Sequence, residues 1–233
     1  MKNQSWALFP AALVAALAVA GCGLGKSSSA ASPPARPSAT VLRDDVMTGL
    51  NKAKSVHVSG TEKESGTTYA MNLGLTRSGA SSGSVSVGHA SFTLLSTGGH
   101  TYIEVTAGFM KYAKLPSAAC SLMCGKYLEL SPSDAKSMVG SLSLKSLFDS
   151  VTSKTFTFRY GGNATVNGQP AWLMLVSDGS TLYVSTQGKH YLLRAIGPRD
   201  NKGQLDFTQW NSVKVPPVPP ASKVVNLSQL QGS

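Results

Sequence analysis

Two hydrophobic periods alternate along the body of the chain. Over residues 41–54, apolar side chains recur at helical spacing: Leu42, Val46, Leu50 and Ala53. This spacing predicts an amphipathic helix. Beyond it the period changes to two, and apolar residues alternate with Ser, Thr, Asn and Gly up to residue 105. Short Gly- and Ser-rich segments interrupt the alternation, which therefore predicts an antiparallel meander with hairpin turns.

The middle of the chain predicts helices. Residues 107–114 have Phe109 and Met110 grouped on one side. The run Ser131-Pro132-Ser133-Asp134 places Ser at an N-cap, Pro at the first helical position and an acid in the first turn. Residues 144–151 repeat apolar side chains at i, i+3, i+4 and i+7. From residue 156 the period of two returns and predicts a second series of hairpins.

The order helix, strands, helices, strands predicts the α+β class. We expect one curved antiparallel sheet wrapped around a small helical layer, with space for a ligand in the concavity. The strand at 171–176 is apolar on both faces, which predicts a central position covered on both sides. Candidate cavity residues are the large apolar side chains on inward faces, for which an ordinary packed core is the alternative: Tyr69, Met71, Leu73, Phe92, Phe109, Met110, Phe148, Phe156, Phe158, Trp172 and Met174.

The N-terminal segment has the order of an export signal. Lys2 precedes an apolar stretch that ends in Val19-Ala20-Gly21-Cys22, which resembles the lipobox of bacterial lipoproteins. We expect residues 1–21 to be a signal peptide and Cys22 to be acylated as a plasma-membrane anchor; a plain secretory signal is the alternative. Several acyl chains on one cysteine attach a protein durably. Residues 22–40 are rich in Gly, Ser, Ala and Pro and predict a flexible tether.

The length and charge of the remaining chain bound its organisation. Residues 41–215 are enough for one well-buried domain, followed by a proline-rich tail at 216–233. Without the signal peptide the chain has 20 basic and 11 acidic residues, a net charge of +9. This charge favours anionic lipid or acidic wall polymer. We expect no nucleic-acid partner, because no basic helix or mixed basic and aromatic motif is present.

The other two cysteines are Cys120 and Cys124. In an exported protein an even pair favours a disulfide, which we expect to be a local staple in a loop or at a frayed helix end. Two cysteines make a poor zinc site, and the four histidines have no paired spacing: His57, His89, His100 and His190. We therefore predict neither a metal nor a cofactor.

One match to a catalytic motif is Gly79-Ala80-Ser81-Ser82-Gly83, which fits G-x-S-x-G. A nucleophile elbow requires a sharp turn from a strand into a helix. This match lies in a Gly- and Ser-rich turn between two predicted strands, so we predict no enzyme. Ser81 buried beside a histidine and a carboxylate would reverse that interpretation.

Several stretches resemble actinobacterial lipoproteins of the LppX/LprG type, which share the LolA-like fold. They include "GHTYIEVTAGFMKY", "GKYLEL", "LFDSV", "NGQPAWLMLVSDGSTLYVS", "YLLRAI" and "LDFTQWNSV". The resemblance implies a half-barrel of antiparallel strands closed by helices around a cavity for acyl chains. It also implies a role in carrying or presenting lipids or glycolipids, with a possible transport partner in the envelope.

The leading hypothesis is therefore a non-catalytic, membrane-anchored lipid-binding lipoprotein, with basic residues at the rim that favour an anionic headgroup. The alternative is a structural or interaction lipoprotein with a filled core that docks to wall polymer or to a partner protein. An elongated apolar pocket of several hundred Å³ would favour the first.

Overall fold

A computed structural model describes residues 36–64, 66–88, 90–139, 144, 156–198 and 203–225. The described residues from Pro37 onwards form one compact unit. The predicted signal peptide, Cys22 and Phe148 lie outside the described residues. In the part that is described, no helix is long and apolar enough to cross a bilayer.

The first helix, α1, spans Ala39–Lys52. It begins two residues before the predicted start because the hydroxyl of Ser38 accepts a hydrogen bond from the Val41 backbone N–H, which caps the first turn. Its inward face consists of the residues that the helical period selected: Leu42 and Leu50, each 1% exposed, and Val46. The amphipathic helix is thus confirmed.

Six strands follow, each joined to the next in antiparallel pairing. They are β1 (Ser55–Glu64), β2 (Thr67–Thr76), β3 (Ser81–Val87), β4 (Ala90–Thr97), β5 (His100–Glu104) and β6 (Tyr127–Glu129). Ser81 is the first residue of β3 and pairs with Leu75 and Ser96. The G-x-S-x-G match therefore connects two strands and has no helix after it.

Helical segments interrupt this meander between β5 and β6. They are α2 (Ala107–Tyr112), a 3-10 turn (Ser117–Ala119) and α3 (Cys120–Met123). Cys120 and Cys124 form the predicted disulfide, with Cα atoms 4.8 Å apart. The bridge fits because the backbone leaves the helical conformation at Cys124, where α3 ends.

A fourth helix, α4 (Pro132–Val139), follows β6. The hydroxyl of Ser131 accepts a hydrogen bond from the Asp134 backbone N–H, as the predicted N-cap requires. Beyond it, only Leu144 is described before residue 156; Leu144 is helical and 1% exposed.

The second series of hairpins supplies five more antiparallel strands. They are β7 (Phe158–Val166), β8 (Gln169–Val176), β9 (Thr181–Ser185), β10 (Leu192–Ile196) and β11 (Gln204–Thr208), and β12 (Val224–Val225) ends the described chain. All twelve strands form one sheet in the order β12-β6-β5-β4-β3-β2-β1-β11-β10-β9-β8-β7. The two meanders meet at the β1–β11 pair, so the first and last long strands lie at the centre.

One face of the sheet, here called the inner face, packs with α1, α2 and Leu144 in a single hydrophobic core. It receives side chains from strands near both edges, such as Leu128 of β6 and Trp172 of β8. Glycines in the strands permit the curvature. At Gly60 and Gly83 φ is +154° and +141°, and a Cβ would lie about 2 Å from the partner strand's carbonyl oxygen.

Strand β8 corrects one prediction. It is the second strand from an edge, where the two apolar faces of residues 171–176 predicted a central position. Trp172 and Met174 enter the core, whereas Leu173 and Leu175 are only half-buried. These two leucines lie over Gly161 of the edge strand, where a Cβ would be 2.9 Å from each of them. The missing side chain at Gly161 thus accommodates the second apolar face.

The proline-rich C-terminal region crosses the outer face, opposite the core. Residues 211–223, here called the strap, begin at Asn211, whose side-chain oxygen accepts a hydrogen bond from the Lys54 backbone N–H at 2.7 Å. Val213 then occupies the space above Gly74, where a Cβ would be 2.6 Å from its Cγ1 atom. Pro219 is buried, and β12 pairs in parallel with β6. The tail that the sequence separates from the domain at residue 216 is therefore packed onto the sheet.

Candidate functional site

An apolar pocket lies on the inner face of the sheet, at one end of the strands β7 to β11. Five adjacent strands, β7 to β11, each contribute an inward side chain. Directly paired residues supply most of them, and between β8 and β9 the wall steps by one inward position, because Leu182 pairs with Met174. These side chains are Phe158, Val176, Leu182, Ala195 and Leu205. The alternation of each strand points them to the same face, so a row of single positions forms a continuous apolar wall.

The pocket has a volume of about 260 Å³ and is open on one side. Pockets for drug-sized ligands have volumes of roughly 300–1,000 Å³, so this one is just below that range. The rest of the described lining consists of Glu62, Phe156, Asp178, Ser180, Ile196, Gly197, Pro198 and Gly203. Its size suits a segment of an acyl chain better than a complete lipid.

Two phenylalanines form one side of the pocket. The rings of Phe156 and Phe158 are perpendicular, with centroids 6.4 Å apart. Edge-to-face pairs of this kind are favourable because the positive edge of one ring meets the negative face of the other. Both rings are also packed against the main core, which holds this side of the pocket in place.

The charged side chains among the described lining residues are acidic. They are Glu62, at the end of β1, and Asp178, whose carboxylate accepts a hydrogen bond from the Ser180 backbone N–H at 2.8 Å. The expected basic rim is therefore not found in this lining. The basic residues Arg199 and Lys202 lie next to it in sequence, outside the described residues.

The structure divides the predicted cavity residues into three groups. Phe156 and Phe158 line the pocket. Tyr69 and Met71 are half-buried on β2. The remaining described candidates belong to the filled core: Leu73, Phe92, Phe109, Met110, Trp172 and Met174.

The aliphatic half of the pocket was not among the predicted residues. Val176, Leu182, Ala195 and Leu205 are small or medium-sized aliphatic residues, whereas the predicted candidates are, apart from Leu73, aromatic or Met residues. Their signal in the sequence is positional, because each is an inward residue at or next to one end of its strand. That signal also marks ordinary core residues, so it does not single out a pocket.

The described histidines have structural contacts. His190 Nδ1 lies 2.8 Å from a carboxylate oxygen of Asp45 and joins the β9–β10 connection to α1. His100 Nδ1 lies 2.6 Å from Glu129 across two strands. Among the residues described, no three His, Cys, Asp or Glu side chains are grouped as metal ligands would be.

A charged pair crosses the outer face of the second meander. Arg194 donates two hydrogen bonds to Asp206, of 2.5 and 2.7 Å, and Asn167 donates a third at 3.2 Å. The hydrogen bond from Arg194 is the main reason why the pKa of Asp206 is lowered from its ordinary value. The two side chains are only 23% and 17% exposed, and they fix the β10–β11 register on the strands that form the pocket wall.

Comparison with known proteins identifies the fold. Neither a family model nor a curated protein matches the sequence. LprF from Mycobacterium bovis is similar in structure, with a TM-score of 0.56 at 14% identity over 76% of this chain and 95% of that one. Mycobacterium tuberculosis lipoprotein LppX is similar with a TM-score of 0.48, also at 14% identity, over 76% and 97% of the two chains.

The chain has the fold of the LppX/LprG-type lipoproteins, as the resemblance of the sequence predicted. The predicted fold class, α+β with a curved antiparallel sheet around a small helical layer, is likewise confirmed.

Proposed function

We propose that this protein is an exported lipoprotein that binds the acyl chain of a lipid or glycolipid in the pocket of the inner face. The observation that supports it most directly is the apolar wall of the pocket, built from inward side chains of five adjacent strands. An acyl chain gains free energy by leaving water for such a wall, at about 0.8 kcal/mol per buried CH₂ group. Binding by apolar contact needs no catalytic group.

The anchor belongs to the same proposal. Acylation of Cys22 would attach the chain to the outer side of the plasma membrane. Residues 23–37, the part of the predicted tether that precedes the N-cap of α1, would let the body reach lipids at the bilayer surface. A flexible segment of about 15 residues has a root-mean-square span of roughly 19–23 Å. The pocket would take up or deliver lipid within this distance, for transport or presentation across the envelope.

The test is native mass spectrometry of the full chain carrying Cys22→Ser, which prevents acylation, purified from a lipid-containing host without detergent. We expect a fraction of the protein to carry a lipid-sized mass that organic extraction removes. A protein that is always empty, and that also fails to take up a fluorescent fatty acid, would contradict the proposal.

One observation favours a second candidate. Six of the predicted cavity residues fill the core, so most of the space between the sheet and the helices is occupied by side chains. A filled core suits a structural or interaction lipoprotein that docks to wall polymer or to a partner protein through its basic surface. In that case fatty acid would not bind, and the immobilised protein would retain a wall fraction in a salt-dependent manner.

A further inference from the structure

The segment between β5 and β6 combines a buried side with an exposed apolar tip. Residues 107–126 are here called the stapled loop, because they contain the Cys120–Cys124 disulfide. Leu122 is 70% exposed, the most exposed of the large hydrophobic residues described, and Tyr112 is 51% exposed. Adjacent Met123 is only 3% exposed and packs into the core. The loop thus holds one apolar side chain inward and presents the next to the outside.

The loop is fixed to the body from both sides. Phe109 and Met110 of α2 belong to the main core, and the Thr106 hydroxyl caps the start of that helix. The disulfide closes the turn that contains Leu122. A surface that is already ordered loses little conformational entropy when it binds, so more of its contact free energy remains for affinity.

The charge of this region favours an anionic partner. Residues 105–128 contain Lys111, Lys114 and Lys126 and no acidic residue. Lys111 and Lys114 are both exposed. An exposed apolar side chain in a segment that carries lysines and no acid complements a bilayer with anionic headgroups, where the lysines remain among the headgroups and the apolar tip enters the acyl region.

The loop also lies at the same end of the sheet as the pocket. The backbone of Ser91 faces Gly108 of α2, and strand pairing continues from Ser91 through Ser86 and Ala70 to Thr61. Thr61 is the neighbour in sequence of the pocket residue Glu62 and pairs with Gln204, next to the pocket residue Leu205. A surface that binds this end would therefore be near the opening of the pocket.

We propose that the stapled loop docks the body on an anionic bilayer, with Leu122 inserted among the acyl chains and the lysines at the headgroups. This contact is additional to the lipid anchor, and it orients the protein with the pocket end towards the membrane. The docking proposal is based on the exposure and charge of the loop, and it does not depend on whether the pocket binds lipid.

The experiment uses the full chain on vesicles of phosphatidylcholine mixed with phosphatidylglycerol, a fraction of which carries a photoactivatable group in its acyl chain. After irradiation, lipid adducts are mapped by mass spectrometry. We expect adducts within residues 107–126. We expect Leu122→Ser to reduce them about tenfold, because it removes the leucine side chain that would otherwise leave water for the acyl region of the bilayer. Replacing Lys111 and Lys114 by Gln should reduce them by about fivefold for each charge, with a weaker effect at high salt.

The matched controls lie elsewhere on the surface. Val218 is 49% exposed beside the β4–β5 turn, at the opposite end of the sheet, so Val218→Ser should leave the adducts unchanged. Lys214→Gln is the corresponding charge control on the strap. Leu122→Phe should retain the adducts and shows that the loop tolerates substitution.

The proposal would be overturned if Leu122→Ser and Val218→Ser lost lipid adducts equally. It would also be overturned if the adducts avoided the loop, and that outcome would indicate a protein partner for this surface. Fatty-acid uptake in vesicle-free solution should be unchanged in Leu122→Ser. The docking surface and the pocket are therefore tested separately.

Discussion

Filling the pocket tests the proposed function most directly. Ala195 lines the pocket from the inner face of β10, where a larger side chain would extend into open volume. We expect Ala195→Phe to occupy most of the space that an acyl chain would use. Ala70 provides the matched control, because it is a half-buried alanine on the outer face of β2. Ala70→Phe introduces the same ring on the side of the sheet that has no part in the pocket.

The magnitude follows from the volume. About 260 Å³ holds roughly nine groups of ~30 Å³, the volume of a water molecule in the liquid, and a methylene group is of similar size. A phenyl ring would displace about six of them, which corresponds to about 5 kcal/mol of binding free energy for complete burial at ~0.8 kcal/mol per CH₂. Because the pocket is open on one side, we expect about half, 2–3 kcal/mol, or roughly a hundredfold weaker binding.

The assay is titration of the full chain, carrying Cys22→Ser to prevent acylation, with a fluorescent fatty acid. Thermal unfolding of each variant shows that the fold is retained, since overpacking at an occupied site would cost about 1–3 kcal/mol. Binding by Ala195→Phe that equals binding by Ala70→Phe would refute the assignment of the pocket.

Three further predictions concern the anchor, the core and the charged pair. Cys22→Ser should move the protein from the membrane fraction to the soluble extracytoplasmic fraction and abolish labelling with a palmitate analogue; retention in the membrane would argue against the lipobox. Leu50→Ala, at a position 1% exposed, should destabilise the fold by about 2–5 kcal/mol in denaturant titration, and a much smaller loss would mean that α1 is loosely packed. Asp206→Asn should cost about 1.5–3 kcal/mol, the range for hydrogen bonds to a charged group. The wild-type contribution of Asp206, whose pKa is lowered mainly by the hydrogen bond from Arg194, is present above the ordinary carboxyl pKa and is lost as the pH falls through the lowered one. Denaturant titrations of wild type and Asp206→Asn should therefore converge at acidic pH, and a constant difference would contradict this assignment.

The pocket and the stapled loop belong to different parts of the sheet. The β10–β11 pair, fixed on the outer face by Arg194 and Asp206, supplies two of the five residues of the pocket wall. The first meander supplies the helices and the disulfide between β5 and β6. The proposed binding and the proposed docking thus involve different halves of one sheet, so substitutions in one half should leave the function proposed for the other half intact.

The sequence alone was sufficient for the elements that depend on local spacing. Alternation along a strand and the 3.6-residue helical period place side chains on one face regardless of what packs there. For this reason α1, the strands β1 to β5 and β7 to β11, and the N-cap at Ser131 were predictable. The disulfide was predictable for a different reason, because two cysteines remained for an oxidising compartment.

The tertiary structure alone decided which inward residues fill the core and which line a pocket. Trp172 and Val176 point to the same face of β8, yet Trp172 is covered by the core while Val176 borders the open volume. The edge-proximal position of β8 depended on Gly161 of its neighbour, and the strap depended on contacts such as Lys54 with Asn211, 157 residues apart. Local periodicity specifies the face of the element on which each side chain lies. The residues that pack over that side chain are distant in sequence, and their position is set only when the whole sheet assembles.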